Sequence, residues 1–235
     1  MEINEKQLKL NLPFRGLIGG PSSSGKTFFI FRLLMLRKEL FNDQFTKIIY
    51  CYPHQEFSTK KDQEFFQKLE LNVPGIEIAN ELPSVSSLQA SQGHTLLILE
   101  DMMHELISSA SHMKLYTVYS SHCSVSILTT TQNYFEQGKY SKTILRNQTF
   151  IVLFDSLSDR QATSMISRQL FPQSKNFLIE CFTWLQNNVT SREYRYVFID
   201  CVCTNLPPGF PQVRSHILKE NTDFKMIGFT PKSVR

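Results

Sequence analysis

The stretch Gly20-Pro21-Ser22-Ser23-Ser24-Gly25-Lys26-Thr27 decides the fold, because it matches the phosphate-binding pattern GxxxxGK[ST] at every fixed position. Glycines allow backbone N–H groups to turn inward around a phosphate, and the helix that follows directs its positive end to the same place. In this pattern Lys26 reaches the β- and γ-phosphates of a nucleotide, and the Thr27 hydroxyl is a ligand of Mg²⁺. We therefore predict that residues 20–27 cradle the phosphates of ATP.

The segments on both sides of this loop support the assignment. Residues 14–18 form a short apolar stretch that is typical of a strand. Residues 28–40 are apolar nearly all round, which is typical of a helix buried against a sheet. A strand, a glycine-rich loop and a helix in this order form the context that the phosphate-binding pattern requires.

Further apolar stretches alternate with helical ones along the chain. Strands are predicted at residues 47–52 (KIIYCY), 95–99 (TLLIL), 124–131 (SVSILTTT), 150–154 (FIVLF) and 194–202 (YRYVFIDCV). Helices are predicted near residues 62–69, 106–113 and 159–170. Continuous apolar strands that alternate with helices are typical of a parallel sheet covered on both faces. We predict an α/β fold of three layers, a P-loop NTPase with a mostly parallel central sheet.

Length and composition favour a single domain. The chain has 235 residues, of which 41% are hydrophobic and 20% charged, a balance that suits one sizeable core. We place the ATPase domain at residues 1–206. Residues 207–235 begin with Pro207, Pro208 and Gly209, and we treat them as a C-terminal extension. The net charge of +4 permits contact with nucleic acid without requiring it.

The cysteines and the amino-terminal segment bear on the compartment. The five cysteines contain no CxxC pair, and an odd number of them without metal-ligand spacing favours a reducing compartment. Residues 1–14 are polar and have no signal-peptide pattern. No apolar run approaches the roughly 20 residues that a membrane span needs. We expect an intracellular protein that is not secreted and does not enter a membrane.

Two acids follow the strand predicted at residues 95–99. Glu100 and Asp101 come directly after apolar residues, at the place where a P-loop protein needs a carboxylate for its metal. The first acid would face Mg²⁺, usually through water, and the second would orient or deprotonate the attacking water. We assign Thr27 and Glu100 to the metal and Asp101 to the water.

A polar strand end completes the predicted site. Gln132 follows the strand predicted at residues 124–131, where its amide could touch the γ-phosphate or the attacking water and so report which nucleotide is bound. A glutamine at a strand end is usually a surface amide, so the assignment depends on chain order. A lysine loop, an acid pair and a polar strand end, in that order, describe the additional-strand branch of P-loop proteins. In this branch an extra strand separates the two nucleotide-binding strands.

The block that begins at residue 131 resembles a specific family. The sequence TQNYF at residues 131–135, followed by Gly138-Lys139, Thr143-Ile144, Asn147 and IVLF at residues 151–154, is similar to the genome-packaging ATPases of the poxvirus type. That type includes relatives in adintoviruses and Maverick/Polinton elements and belongs to the FtsK–HerA superfamily of DNA-pumping motors. The phosphate loop, KIIYCY, LLILEDMM and RQLFP at residues 168–172 also fit. The resemblance covers residues 13–172 and weakens beyond them.

The resemblance implies an activity and its partners. It implies a RecA/FtsK-like fold, ATP and Mg²⁺ as cofactors, and double-stranded DNA that is moved into a capsid by a homo-oligomeric ring. Capsid or portal proteins are further candidate partners, and the viral assembly site in the host nucleus or cytoplasm is the expected location. In such rings a neighbouring subunit supplies an arginine, worth about 10³–10⁵ in rate. Arg160 is our first choice for this catalytic arginine, with Arg168 and Arg146 as alternatives.

The acid pair departs from the family, in which Asp usually comes first, whereas here Glu100 precedes Asp101. The division of roles between these two acids therefore stays open. A non-motor P-loop NTPase, such as a small-molecule kinase, is an alternative function. A kinase lid should present clustered arginines, whereas those in the second half of this chain are scattered. A nucleotide-dependent assembly switch without catalysis is another, which the unusual acid order makes plausible. The packaging motor is the function that we favour.

Overall fold

A computed structural model of the chain describes residues 9–53, 60–89, 91–135, 138–156, 160–202, 211–218 and 225–231. Within these residues one sheet contains nine strands. They are β1 (Arg15–Gly19), β2 (Phe45–Cys51), β3 (Ile76–Ala79), β4 (His94–Leu99), β5 (Val125–Thr131), β6 (Phe150–Phe154), β7 (Tyr196–Asp200), β8 (Val213–Ser215) and β9 (Ile227–Phe229).

Helices alternate with most of these strands. They are α1 (Lys26–Met35), α2 (Arg37–Leu40), α3 (Lys60–Asn72), α4 (Val85–Gln89), α5 (Met103–Ser108), α6 (Ala110–Lys114), α7 (Ser120–His122), α8 (Ser141–Arg146), α9 (Arg160–Leu170) and α10 (Phe177–Asn188). A π-helical turn at Leu115–Tyr119 joins α6 to α7, and a 3₁₀ turn at Arg192–Tyr194 precedes β7. In the described part of the chain, no helix has the length and apolar content that crossing a bilayer requires.

The order of the strands confirms the predicted fold class. It runs β3-β2-β4-β5-β1-β6-β7-β8-β9. Neighbouring strands from β3 to β6 in this order pair in parallel, and the pairs that follow β6 are antiparallel. Strand β5 lies between β1, which leads into the phosphate loop, and β4, which leads into the acid pair. The sheet is therefore mostly parallel and has the extra strand that defines the additional-strand branch.

Side chains that alternate between the two faces of the sheet pack against helices on both sides, which gives three layers. Ile18, Ile98 and Leu128 belong to one core cluster with α1 and α3. Their neighbours along the strands face the other side of the sheet, since successive side chains in a strand alternate between its faces. On that side the β1 and β6 residues pack against α9 and α10, and the β4 and β5 residues pack against α5 and α8. The sheet is covered on both faces, as predicted.

Two of the predicted helices are interrupted. The helix predicted at residues 28–40 begins at Lys26 and is divided into α1 and α2 at Leu36, which has φ −93° and ψ 7°. The helical face predicted at residues 106–113 is divided between α5 and α6 by Ser109, which is extended at φ −114° and ψ 131°. The apolar pattern continues across both interruptions, and periodicity alone therefore does not reveal them.

Strands β8 and β9 lie within residues 207–235, the predicted C-terminal extension. β8 pairs with β7, and β9 pairs with β8. The fully buried Arg214 of β8 forms an ion pair with Asp200 at 3.2 Å and stacks on Phe198 at 4.9 Å. Leu218 belongs to the same core cluster as α1. The described part of this segment therefore continues the central sheet, and the division into a domain and an extension stays a prediction.

A stability measurement tests how far this segment belongs to the core. Leu218 is 3% exposed and Val202 is 47% exposed. Leu218→Ala should lower the free energy of unfolding by about 2–5 kcal/mol, because it leaves a cavity in the core. Val202→Ala should change it by less than about 0.5 kcal/mol. Urea unfolding of both variants measures the difference, and equal small effects would mean that residues 211–218 are a detachable appendage.

Candidate nucleotide-binding and hydrolysis site

The phosphate loop lies between the end of β1 and the start of α1. Its backbone turns sharply, with Ser23 at φ 58° and Gly25 at φ 112°, both in the left-handed region. A side chain at Gly25 would place its Cβ 2.8 Å from the Cα of Glu193 in the 3₁₀ turn before β7. Gly25 is therefore required both by its backbone conformation and by close packing. The first N–H groups of α1 remain available for an anion at this end of the helix.

The Lys26 side chain folds over the loop. Its Nζ donates hydrogen bonds to the carbonyl oxygens of Gly20 at 2.8 Å and Pro21 at 3.0 Å. Burial lowers the pKa of Lys26 from its usual value, while the carboxylates of Asp101 and Glu100 oppose that shift. The ammonium group is thus held inside the loop and beside two acids, where it can compensate the charge of a phosphate.

Glu100 is a buried acid that two hydroxyl groups hold in place. It follows β4, its N–H donates to the carbonyl oxygen of Cys51 at 3.0 Å, and it is 7% exposed. The Thr27 hydroxyl donates to Oε1 of Glu100, and the Tyr50 hydroxyl donates to Oε2. Burial raises the pKa of Glu100 above its usual value, and these two hydrogen bonds oppose the shift.

Asp101 turns away from its neighbour and is exposed. Its φ of 53° is left-handed, a conformation that Asp tolerates better than most residues. The Asp101 N–H donates to Oγ1 of Thr130 at 2.9 Å, which fixes the turn to the end of β5. Consecutive acids therefore occupy different environments, Glu100 in the interior beside Thr27 and Asp101 at the surface.

Gln132 connects the loop to the acid pair. Its Oε1 accepts a hydrogen bond from the Ser22 hydroxyl at 3.0 Å. Its Nε2 lies 3.5 Å from Oδ2 of Asp101. Strand β5, which ends at residue 131, places this amide between the two elements because β5 lies between β1 and β4. The structure therefore brings together Lys26, Thr27, Glu100, Asp101 and Gln132, all predicted from sequence as one site.

Arg160 lies outside this group. It is exposed at the start of α9 and borders a small pocket together with Asp155 and Thr163. Thr163 also borders a larger cavity of about 140 Å³ that opens beside the first residues of the phosphate loop. The lining of that cavity includes Gly20, Pro21, Gln132, Tyr134, Phe154 and Ser156. Arg160 is thus placed near the loop, one helical turn from the cavity wall, without contributing to the cluster around Lys26.

Tyr50 is a site residue that the sequence analysis did not identify. It lies near the end of β2, which pairs with β4, and Tyr50 is the register partner of Ile98. The sequence signal was a hydroxyl-bearing residue at the end of an apolar strand, KIIYCY. This signal identifies Tyr50 only if β2 and β4 are known to be neighbours, because their pairing places the Tyr50 hydroxyl next to Glu100.

The residues around Thr27 fit a magnesium ion that is bound together with a nucleotide. Mg²⁺ prefers hard oxygen ligands and is usually held by one or two carboxylates, phosphates and several waters. Thr27 and Glu100 provide a hydroxyl and a carboxylate in direct contact with each other. Their contact lies at the start of α1, beside the loop that would hold the phosphates, and the donor set therefore suits a Mg²⁺–nucleotide complex.

Comparisons with known proteins bear on the fold. No protein-family model matches the chain, and no curated protein sequence does. One similar solved structure is the genome packaging NTPase B204 from Sulfolobus turreted icosahedral virus 2 in complex with ATPγS. Its sequence is 12% identical to this chain and the TM-score is 0.53, and the match covers 93% of this chain and 97% of that one. The DNA-packaging ATPase B204 from Sulfolobus turreted icosahedral virus is 13% identical with a TM-score of 0.55, covering 84% and 96%.

These identities are low, and the likeness is one of fold. The same packaging NTPase in complex with AMPPCP is 13% identical with a TM-score of 0.52, covering 81% of this chain and 94% of that one. These three structures are of viral genome-packaging NTPases, the class that the sequence resembles. At 12–13% identity they show the fold alone, which is that of a P-loop NTPase and agrees with the fold that the resemblance implies.

Proposed function

We propose that the chain is an Mg²⁺-dependent ATPase that acts as a DNA-packaging motor, moving double-stranded viral DNA into a capsid as part of an oligomeric ring. One observation carries the ATPase activity: Lys26, Glu100, Asp101 and Gln132 meet around the loop at one edge of the sheet. The motor activity is supported by the sequence resemblance and by the fold shared with the packaging ATPase B204. Both supports are needed, since a P-loop alone serves many reactions.

In this proposal the phosphate loop and the start of α1 bind the nucleotide. The backbone N–H groups of residues 20–27 would surround the β-phosphate, and Lys26 would exchange its two carbonyl partners for phosphate oxygens. Thr27 and Glu100 would hold Mg²⁺, which when bound neutralises charge on the β- and γ-phosphates. Glu100 suits this role because it is buried beside Thr27 and its carboxylate plane is held by two hydroxyl donors.

The exposed residues of the site, Asp101 and Gln132, would activate the attacking water. Asp101 is open to solvent and stands beside the Gln132 amide. In the proposed reaction Gln132 orients the attacking water, and the Asp101 carboxylate accepts its proton as the water oxygen bonds to the γ-phosphorus. The bond from the γ-phosphorus to the β–γ bridging oxygen breaks, and ADP leaves with the electron pair of that bond. The separation of a buried acid from an exposed one favours this division, with Glu100 on the metal and Asp101 on the water.

A neighbouring subunit would complete the site in the ring. Arg160 is exposed and outside the cluster around Lys26, so we keep it as the first candidate for an arginine supplied to an adjacent subunit. An arginine there would stabilise charge that develops on the γ-phosphoryl group during transfer. Double-stranded DNA, the ring and a capsid or portal partner belong to this proposal. So does an intracellular site of assembly, which agrees with free thiols at Cys51, Cys123 and Cys181.

Steady-state phosphate release, measured with and without long duplex DNA, tests the proposed function. DNA should stimulate hydrolysis, and rising salt should weaken the stimulation because phosphate contacts release counterions. Lys26→Ala should lower turnover by at least about a hundredfold, since it removes the charge that faces the phosphates. Lys38→Ala is the matched control, because Lys38 is an exposed lysine of α2. Rapid hydrolysis that ignores DNA would contradict the motor, and hydrolysis by Lys26→Ala at the wild-type rate would contradict the site.

Separate variants of the two acids test their roles. Asp101→Asn keeps a residue that tolerates a left-handed backbone, and it should bind Mg²⁺–ATP normally while turning over about 10²–10⁴ times more slowly. Glu100→Gln should instead raise the Mg²⁺ concentration needed for half-maximal rate. Turnover as a function of Mg²⁺ measures both effects. Exchanged phenotypes would exchange the roles, and wild-type behaviour of both variants would place the metal acid elsewhere.

Mixing two inactive variants tests whether Arg160 acts on a neighbour. Arg160→Ala subunits retain Lys26, and Lys26→Ala subunits retain Arg160, so mixed boundaries can combine an intact lysine with an intact arginine. The mixture should therefore recover part of the wild-type rate per subunit, and the recovery should grow with protein concentration. The control mixes Lys26→Ala subunits with subunits that carry both Lys26→Ala and Arg160→Ala. This mixture should stay inactive, because none of its subunits has an intact Lys26.

The absence of recovery in the first mixture would mean that Arg160 does not act between subunits. The same mixture, prepared with Arg168→Ala and then with Arg146→Ala, would test the two alternative arginines.

A further inference from the structure

The strand next to the acid pair contributes a tyrosine to the site. β2 pairs in parallel with β4 on the side away from β5. Near its end Tyr50 is the register partner of Ile98, two residues before Glu100, and the Tyr50 hydroxyl reaches forward to donate to Oε2 of Glu100. The other oxygen, Oε1, accepts from Thr27. Each oxygen of the buried carboxylate therefore has one hydroxyl donor, and the two donors come from different elements.

The Tyr50 ring has little freedom to move. It is fully buried and packs against two aromatic rings of α3, with its centroid 6.2 Å from that of Phe65 and 5.6 Å from that of Phe66. Both pairs are edge-to-face, an arrangement that aromatic rings prefer. Rigid packing of this kind fixes where the hydroxyl group lies, and a fixed donor in turn fixes the oxygen that it holds.

The two hydroxyl donors have different roles in the proposed reaction. In the proposed function the Thr27 hydroxyl is itself a metal ligand, so its contact with Oε1 lies within the metal site. The Tyr50 hydroxyl lies on the opposite side of the carboxylate, in the core between β2 and α3. It is therefore the donor that can orient Glu100 in every step of the cycle.

We propose that Tyr50 is a positioning residue for Glu100, holding Oε2 so that Oε1 faces Thr27 and the Mg²⁺ site. The proposal depends on the function proposed above, which makes Glu100 the metal acid. It also gives a physical reason for Glu in place of the Asp that usually begins the acid pair of the resembled family. The additional methylene places the carboxylate further from the end of β4 than Asp would, and at this distance it accepts from both hydroxyl groups.

Removing only the hydroxyl group tests the proposal. Tyr50→Phe keeps the ring and its packing, and it should raise the Mg²⁺ concentration for half-maximal nucleotide binding roughly tenfold, as loss of an outer-shell partner commonly does. Binding of a fluorescent ATP analogue during a Mg²⁺ titration provides the readout, and this measurement does not need hydrolysis. Turnover at saturating Mg²⁺ should fall much less than the apparent Mg²⁺ affinity.

A matched control separates positioning from general stability. Tyr116 is also fully buried, and its hydroxyl bonds to the side chain of Gln148 rather than to Glu100. Tyr116→Phe therefore removes a buried hydroxyl of the same kind, and it should leave the Mg²⁺ titration unchanged. Thermal unfolding of both variants reports any common loss of stability. Equal shifts of the Mg²⁺ midpoint in the two variants would overturn the proposal.

The length of the acid provides a second test. Glu100→Asp should withdraw the carboxylate from the Tyr50 hydroxyl, so adding Tyr50→Phe to it should cause little further change in the Mg²⁺ midpoint. Additive shifts would show that Tyr50 acts independently of Glu100 and would overturn the inference. If the wild-type protein binds Mg²⁺–nucleotide but does not hydrolyse ATP, the proposed ATPase activity fails, while the binding titrations still decide the role of Tyr50.

Discussion

The burial of the Glu100 carboxylate is the constraint on which the site depends. Removing an ionised group from water is costly unless hydrogen bonds and opposite charge compensate it. Here the compensation comes from three residues on two elements: the hydroxyl of Thr27 and the nearby charge of Lys26 at the start of α1, and the hydroxyl of Tyr50 on β2. The acid can occupy the interior only when β2, β4 and the loop are correctly assembled. The pairing of β2 with β4 therefore also builds the surroundings of Glu100.

Local chemistry is what made much of this predictable. The phosphate loop follows from residue types at fixed spacing, and Gly25 confirms the reason, since no larger residue fits at its φ and beside Glu193. The parallel strands are continuous apolar runs because both of their faces are buried. Glu100, Asp101 and Gln132 were assigned to one site from the order of the lysine loop, the acid pair and the polar strand end. In the structure these residues lie at one edge because β4 and β5 are neighbours and the carboxyl ends of parallel strands meet there.

Long-range packing accounts for what was missed. Tyr50 became a site residue only through the pairing of β2 with β4, which no local pattern reveals. Strand β3 is a short element at the sheet edge, with three of its four residues partly buried and the fourth exposed, and a weak apolar pattern was the only signal for it. The sequence analysis did not predict helix α10. Its buried residues nevertheless fall at helical spacing, among them Phe177, Leu178, Phe182 and Leu185. The pairing of β8 with β7 depends on Arg214 and Asp200, whose contact the sequence cannot state.

The site divides into a buried half and an exposed half, and this division bears on how a ring could use it. Glu100 is held by two hydroxyl donors and by its own N–H, which suits a group that must keep its geometry while a phosphate enters. Asp101, Gln132 and Ser22 are exposed, and Gln132 links the other two. A neighbouring subunit could reach this exposed network without disturbing the buried groups. Coupling between subunits would then act on the orientation of the attacking water, whereas nucleotide and metal binding would remain a property of each subunit.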